Sequence, residues 1–215
     1  MKNFRTILAE LRKPKEVDIF KSRVKGINTV DMRDESWRGT APELMAKFGF
    51  KQVGLGNYAQ VYENPSYPYV IKLFMKDTAY LTYLNWAKKN QRNKFVPKIK
   101  GKVVKLTNYI MAVRLEKLDF KKRNAAVTDL VHMARDPEDF AEGITVYNTI
   151  SNSDNDALAL ANLLGRHYNL RDIHYGNVAQ RPNGQAVMVD PFYNYFSGGG
   201  FRIDPDDISR FKEIF

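Results

Sequence analysis

Polar residues at two places late in the 215-residue chain have the types and spacing needed for acid–base and metal chemistry. Asp172 and Asn177 lie five residues apart in the loop sequence RDIHYGN. A carboxylate there can accept the proton of an attacking hydroxyl group, and the amide oxygen can bind a divalent cation. Asp190 follows the apolar run VMV, so it is expected at the end of a buried strand, where its oxygens suit Mg²⁺. A turn rich in Asp, Asn and Gly also has a purely structural explanation.

Two features earlier in the chain suit the binding of phosphate. Lys72 interrupts the apolar strand VIKLF, which places an ammonium group on a fixed element, although a lysine that faces solvent gives the same pattern. Gly54 and Gly56 lie between two predicted strands, where backbone N–H groups can approach phosphate oxygens. Taken alone, this glycine pair is more typical of an ordinary hairpin turn. The order of all four features along the chain favours one shared site over four unrelated structural features.

The elements that must position these residues are predicted from the period of the apolar residues. Residues 1–49 are expected to form a helical preface that ends in a short helix at Gly49. Residues 50–116 alternate with the period of strands and form a first domain, with a helix capped by Asp77 and a strand pair at 99–106 and 109–115. Residues 117–215 are mainly helical, with helices at 127–133 and 154–167, a strand at 186–189 and a capped terminal helix. The predicted fold class is α+β.

The composition excludes several functional classes. Apolar residues make up 44% and charged residues 27%, which is typical of a folded chain, and the absence of cysteine excludes disulfide scaffolds, thiolate metal sites and a cysteine nucleophile. No run is long enough for a membrane span, and the N-terminus lacks the pattern of a signal peptide, so a cytoplasmic protein is expected. Tyr80, Tyr83 and Trp86 have helical spacing and are expected to pack in the core.

A surplus of basic residues suggests a charged partner. The formal net charge is +10, and residues 88–105 hold eight basic and no acidic residues. Such a segment could bind an acidic protein or a nucleic acid, although a solvated face explains a charge run more often.

The motifs together resemble a known family. LRDIHYGNV followed by VMVDPF is similar to the protein-kinase-like superfamily, and with VGLGNYAQVYENPSYPYVIKLFMKD and GGGFRIDPDD it resembles the early-expressed serine/threonine protein kinases of T-odd coliphages. The resemblance implies a compact two-lobed kinase fold, with an antiparallel sheet in the N-lobe and a mainly helical, truncated C-lobe. It also implies ATP and Mg²⁺ as cofactors, and transfer of the γ-phosphoryl group to Ser or Thr of bacterial host proteins in the host cytoplasm.

The resemblance also implies a role for each candidate residue. Asp172 would be the catalytic base, and His174 would position substrate or brace the loop. The residues that would bind nucleotide or metal are Gly54 and Gly56 over the phosphates, Lys72 at the α- and β-phosphates, Glu116 and Leu118 at adenine through their backbone, and Asn177 and Asp190 at Mg²⁺.

Departures from the family pattern leave two other functions open. No Glu lies between Asp77 and Leu115, so the helix expected to supply an acidic partner for Lys72 has none, and Glu63 or Asp77 could replace it. Pro191 stands where the family has the Phe of D-F-G, and no A-P-E motif follows. The chain could therefore be a pseudokinase or host-protein inhibitor that binds a partner without transfer, or it could transfer AMP on the same fold.

Overall fold

The computed structural model describes residues 41–42, 45–46, 48–56, 58–105 and 110–193. Most of the helical preface and the whole predicted terminal helix lie outside these residues. The described residues between 41 and 46 are helical, and the N–H group of Gly49 donates to the carbonyl of Ala46 at 2.9 Å. Gly49 has φ +75°, a left-handed conformation that commonly ends a helix and that glycine adopts without strain. These contacts agree with the predicted short helix that ends at this glycine.

A five-stranded antiparallel sheet follows, in the order β1-β2-β3-β5-β4. The first three strands form the predicted meander. The bounds of the strands are β1 Lys51–Leu55, β2 Ala59–Glu63, β3 Tyr69–Met75, β4 Val104–Lys105 and β5 Ile110–Glu116, and helix α1, Thr78–Lys89, lies between β3 and β4.

The strand predicted over 99–106 is largely absent from the described residues. Only β4 and an isolated bridge between Ile99 and Leu115 pair with β5 in this region. Gly101 interrupts the strand with φ +86°, and a Cβ atom at this position would come within 2.4 Å of Arg114 Nη2. The alternation of apolar residues therefore gave the correct neighbour for this segment but too long a strand.

The sheet has two buried faces with different partners. Phe74 and Leu115 pack in the larger core with helix α1, whereas Ile71 and Leu73 pack in a smaller core with Phe50. Successive side chains of a strand point to opposite faces. Lys72 therefore lies on the same face of the sheet as Phe74, and this face packs against the larger core.

The second half of the described chain is mainly helical and ends in a hairpin. The elements are α2 Ala125–Arg135, α3 Pro137–Ala141, α4 Asn155–Arg166, β6 Val178–Gln180 and β7 Ala186–Met188. α3 and β6 were not predicted because each is too short to show a period. β6 and β7 pair in an antiparallel register, with Val178 opposite Met188. The predicted α+β class is confirmed, and no helix within the described ranges is long and apolar enough to cross a membrane.

Arg181 ties this hairpin to the end of the sheet. Its guanidinium group donates to both carboxylate oxygens of Glu116, from Nε at 3.0 Å and from Nη2 at 2.7 Å. Nη2 also donates to the carbonyl of Val96 at 2.9 Å. Asp119 and Gln180 exchange backbone hydrogen bonds of 2.9 Å beside this pair. The sheet and the hairpin are therefore held together by a bidentate ion pair that is mostly shielded from water.

We expect Arg181→Ala to lower the free energy of unfolding by about 3 kcal/mol, because the variant leaves the Glu116 carboxylate shielded from water without its partner. Urea denaturation measures the change. Arg123→Ala is the control, since this exposed arginine lies 4.9 Å from the centre of the Tyr175 ring. It should cost no more than about 1 kcal/mol. Equal losses in the two variants would contradict the role given to Arg181.

Candidate active site

The β6–β7 hairpin brings Asn177 and Asp190 together. A 3₁₀ turn over Tyr175–Asn177 leads into β6, and β7 returns antiparallel to it. The carbonyl of Asn177 accepts hydrogen bonds from the N–H groups of Val189, at 2.8 Å, and Asp190, at 3.4 Å. The two predicted metal ligands are thus neighbours through the backbone, without relying on their side chains.

The loop that carries Asp172 is fixed by the segment after Asp190. The N–H group of Asp172 donates to the carbonyl of Pro191, and that of Tyr193 donates to the carbonyl of Leu170, each at 2.7 Å. On the other side, Nη1 of the Arg171 side chain donates to the carbonyl of Arg135 at 2.8 Å, which anchors the loop to the end of α2. The position of Asp172 is therefore set by backbone hydrogen bonds on one side and by a side-chain hydrogen bond of its neighbour on the other.

The side chain of Asn177 is oriented by Asp172. Its Nδ2 atom donates to the backbone carbonyl of Asp172 at 2.8 Å and to Oδ2 of the same residue at 3.1 Å. With the amide nitrogen held in this way, Oδ1 has no hydrogen-bond partner in the part of the chain that the structure describes. This oxygen is available as a ligand.

His174 braces the loop between these two residues. Its Nδ1 atom accepts a hydrogen bond of 3.0 Å from the N–H group of Gly176, while Nε2 lies 2.9 Å from Asn177 Nδ2 and 3.6 Å from Asp172 Oδ2. A Cβ atom on Gly176 would come within 2.7 Å of His174 Cε1, so the ring can take this place only because residue 176 is glycine. These contacts are those of a residue that braces the loop, which is one of the two roles predicted for His174.

Lys72 reaches Asp190 from the sheet. Its Nζ atom lies 2.5 Å from Asp190 Oδ2, and the two side chains are 6% and 30% exposed. Burial raises the pKa of Asp190, the adjacent ammonium group opposes this shift, and the negative charge of Asp172 adds to it. The contact joins residues 118 positions apart in the chain. The structure thus links Lys72, Asp172, Asn177 and Asp190, which are four of the residues predicted for catalysis, phosphate binding and metal binding.

Helix α1 offers Lys72 an aromatic ring in place of an acid. Lys72 Nζ lies 3.8 Å from the centre of the Tyr80 ring, and no residue of Thr78–Lys89 is acidic. Asp77 caps the helix by accepting from the N–H group of Ala79 at 2.8 Å, and burial raises its pKa. Tyr80 and Tyr83 are buried as predicted. The helical spacing gave no sign, however, that the Tyr80 ring faces Lys72, so sequence reasoning missed this residue.

The glycine turn lies on the same face of the sheet as Lys72. Gly54 pairs with Val61, which pairs with Lys72 on the next strand. The N–H group of Gly56 donates to the carbonyl of Ala59 at 2.8 Å, as in an ordinary hairpin turn. The register of the β1–β2 pair shifts between Gln52 and Gly54, and Gly54 is aligned with Lys72 across β2.

The tip of this turn reaches the segment after Asp190. The Tyr58 and Tyr193 rings stack with centres 5.6 Å apart, and their hydroxyl oxygens lie 3.1 Å apart. The two halves of the candidate site thus meet at a second point besides the contact of Lys72 with Asp190.

The backbone N–H groups of Glu116 and Leu118 differ in whether a ligand could bind to them. The N–H group of Glu116 donates to the carbonyl of Lys98 at 2.9 Å, and its carboxylate is bound to Arg181. The N–H group of Glu116 is therefore occupied within the fold, and the predicted contact of its backbone with adenine stays a prediction. The N–H group of Leu118 has no hydrogen-bond partner among the described residues, so it remains open to a ligand.

The donor atoms fit a hard divalent cation only in part. Asn177 Oδ1 and the Asp190 carboxylate are oxygen ligands, which Mg²⁺ prefers. Within the described ranges, no group of three or more His, Cys, Asp or Glu side chains could hold a metal ion. A cation at this place would therefore need further oxygen ligands, and phosphate groups and water can supply them.

Comparison with protein-family models and with curated proteins gave no match. Among solved structures, a double mutant of the Mycobacterium tuberculosis PknI kinase domain is similar to 66% of this chain, with 13% identity and a TM-score of 0.30. This chain covers 60% of the length of that kinase domain. At this identity and TM-score, the likeness does not indicate an activity for this chain.

We expect Gly176→Ala to lower the free energy of unfolding by about 1 kcal/mol, because the new methyl group displaces the His174 ring. The same substitution in a His174→Ala background should cost almost nothing, since the methyl group then meets no ring. Chemical denaturation of the four proteins in this double-mutant cycle measures the difference. An equal cost in both backgrounds would contradict the contact between the ring and residue 176.

Proposed function

We propose that this chain is an ATP- and Mg²⁺-dependent phosphotransferase with a two-lobed kinase-like fold, which transfers the γ-phosphoryl group to a protein hydroxyl group. The observation that supports the proposal most strongly is the chain of contacts from Lys72 through Asp190 and Asn177 to Asp172. An ammonium group, a carboxylate that could act as base, and two oxygen ligands for a cation meet within one site. Phosphoryl transfer needs this set because its catalysis consists of positioning and charge neutralisation.

Each side chain has a task that its surroundings suit. Lys72 is held on a rigid strand and would bind phosphate oxygens with its ammonium group. Asp172 would orient the acceptor hydroxyl group and take its proton, with its carboxylate steadied by the Asn177 amide at 3.1 Å. Because Asn177 uses Nδ2 for this purpose, Oδ1 is left for the cation. Bound there together with Asp190, Mg²⁺ would neutralise the negative charge of the transferring phosphate.

The nucleotide would lie under the glycine turn. Gly54 lies two strands from Lys72 in the sheet. Among the described residues that are not its chain neighbours, the Ala59 carbonyl alone would come within 4 Å of a Cβ atom on Gly56, at 3.8 Å, and this spacing supports placing phosphate beside the turn. The N–H group of Leu118, which has no hydrogen-bond partner in the described part of the chain, would contact adenine.

The acceptor is proposed from the sequence motifs rather than from the site. Similarity to the phage kinases suggests Ser or Thr of bacterial host proteins, modified in the host cytoplasm. The site itself requires only that a hydroxyl group can approach the Asp172 carboxylate, whose side chain is 42% exposed.

We expect Asp190→Asn to reduce phosphoryl transfer by at least 100-fold, because the amide keeps the shape of the carboxylate but lacks its charge for the cation. Incubation with a bacterial lysate, Mg²⁺ and ATP labelled in the α or γ position measures the transfer. Asp139→Asn, at an exposed position on α3, is the control and should retain full activity.

The two labels separate the candidate functions. Label from the γ position alone supports the kinase, and label from the α position alone would indicate transfer of AMP. Absence of label from both positions would favour binding without transfer. Full activity of the Asp190→Asn variant would contradict the metal role of this residue.

We propose residues 88–105 as the surface that binds an acidic protein or a nucleic acid. The Gln91 side chain joins the end of α1 to the following segment, with Nε2 donating to the carbonyl of Pro97 at 3.1 Å and Oε1 accepting from the N–H group of Ile99 at 2.8 Å. These contacts hold the two basic segments next to each other, which supports treating their cations as one surface. Those that are exposed and form no salt bridge with the described residues are Lys88, Lys89, Arg92, Lys100, Lys102 and Lys105.

We expect replacement of Lys88, Lys89 and Arg92 by Gln to weaken binding to a polyanion and to flatten its salt dependence by roughly one unit of slope per cation removed. Fluorescence titrations with a DNA duplex and with polyglutamate, over a range of salt concentrations, measure this. Replacement of the adjacent cations Lys121, Lys122 and Arg123 by Gln is the matched control, because it removes the same charge elsewhere. Equal effects of the two triple variants would show that only the net charge matters.

A further inference from the structure

The buried position of Lys72 raises the question of what holds its ammonium group when Asp190 binds a cation. Lys72 is 5% exposed, so water contributes little to holding its ammonium group in place. Its closest anionic contact is Asp190 Oδ2 at 2.5 Å. Under the proposed function, the same carboxylate is a metal ligand, so its charge must be shared between the ammonium group and the cation. A second contact that does not also serve the metal would therefore keep the ammonium group in place to receive the nucleotide phosphates.

The Tyr80 ring is the partner that fits this requirement. Lys72 Nζ lies 3.8 Å from the centre of the ring, within the range of a cation–π interaction. Burial raises the pKa of the Tyr80 hydroxyl group well above its usual value, so the ring stays neutral and cannot form an ion pair with the lysine. The attraction to its face persists whatever Asp190 binds, because it comes from the ring itself.

The ring is held rigidly in this place. Phe74, two residues after Lys72 on the same strand face, packs edge-on against Tyr80 with the ring centres 4.9 Å apart. The Tyr83 ring also stacks with Tyr80, with the ring centres 6.4 Å apart, and its hydroxyl group donates to the carbonyl of Met188. The Tyr80 hydroxyl group is buried and has no hydrogen-bond partner among the described residues. Packing, and not a hydrogen bond of its own, therefore positions this ring.

We propose that Tyr80 is a positioning residue that holds the Lys72 ammonium group through its ring face, so that the lysine can bind nucleotide phosphates while Asp190 binds the cation. This inference rests on the proposed function, because it assigns the nucleotide to Lys72. An aromatic ring on helix α1 then does the work for which this helix supplies no acidic residue.

A set of substitutions at position 80 tests the ring face separately from the packing. Tyr80→Phe keeps the face and removes only the unpartnered hydroxyl group, so it should bind Mg²⁺ and ATP within about twofold of the parent chain. Trifluorophenylalanine at position 80 keeps nearly the same volume but weakens the negative potential of the face, and it should bind several-fold more weakly than the Phe variant. Tyr80→Leu removes the face and should bind roughly tenfold more weakly.

Two further measurements control for changes of structure. Trp86→Leu removes an aromatic ring from the same helix, where it stacks on Tyr83 and not on Lys72, and should bind nucleotide like the parent. Calorimetric titration with Mg²⁺ and ATP gives the affinities. In the nucleotide-free protein, NMR should show the ε-methylene protons of Lys72 shifted upfield by the ring in the parent and in the Phe variant, but not in the Leu variant.

The outcomes separate this inference from the function on which it rests. If the parent binds nucleotide and the trifluorophenylalanine and Leu variants bind as tightly as the Phe variant, Tyr80 does not position Lys72 and the kinase proposal stands. Unshifted Lys72 protons in the parent would also overturn the inference. If the parent binds no nucleotide, the proposed function fails and the inference fails with it.

Discussion

A buried ammonium group that must be neutralised is the constraint on which the rest of the site depends. The β3 strand carries Lys72 into the interior, where removing a charge from water costs several kcal/mol. The Asp190 carboxylate at 2.5 Å and the Tyr80 ring at 3.8 Å compensate for this cost. A buried ion pair adds little stability over apolar side chains of the same shape. A role in ligand binding therefore explains the presence of these buried charges better than a contribution to folding stability does.

The two partners of the ion pair, Lys72 and Asp190, are positioned by separate parts of the chain. On one side, the antiparallel meander fixes Lys72 and aligns it with the glycine turn. On the other side, backbone hydrogen bonds of the hairpin fix Asp172, Asn177 and Asp190 relative to one another. The Glu116 and Arg181 ion pair joins the two parts outside the site. This division explains how candidate functional side chains far apart in sequence can be positioned by mostly local contacts.

Much of this arrangement could be predicted from local patterns. The alternation around Lys72, the cap at Asp77 and the apolar run before Asp190 each report on a few neighbouring residues, and the α+β class followed from them. The partners across the fold could not be predicted. Glu116 and Arg181 lie 65 positions apart, and strand register, which the chain does not display locally, decides that they meet. Tyr80 was identified as a core residue, but helical spacing does not show which side chain a buried ring faces.

The central claim is that these residues form one site for a nucleotide and a divalent cation. Anomalous diffraction from a crystal grown with Mn²⁺ and a non-hydrolysable ATP analogue tests it most directly, because the ion then reports its own position. The account predicts a peak about 2.2 Å from Asn177 Oδ1 and from a carboxylate oxygen of Asp190, with the analogue's phosphates at Lys72. An ion or nucleotide bound at a different place, with these side chains unoccupied, would contradict it.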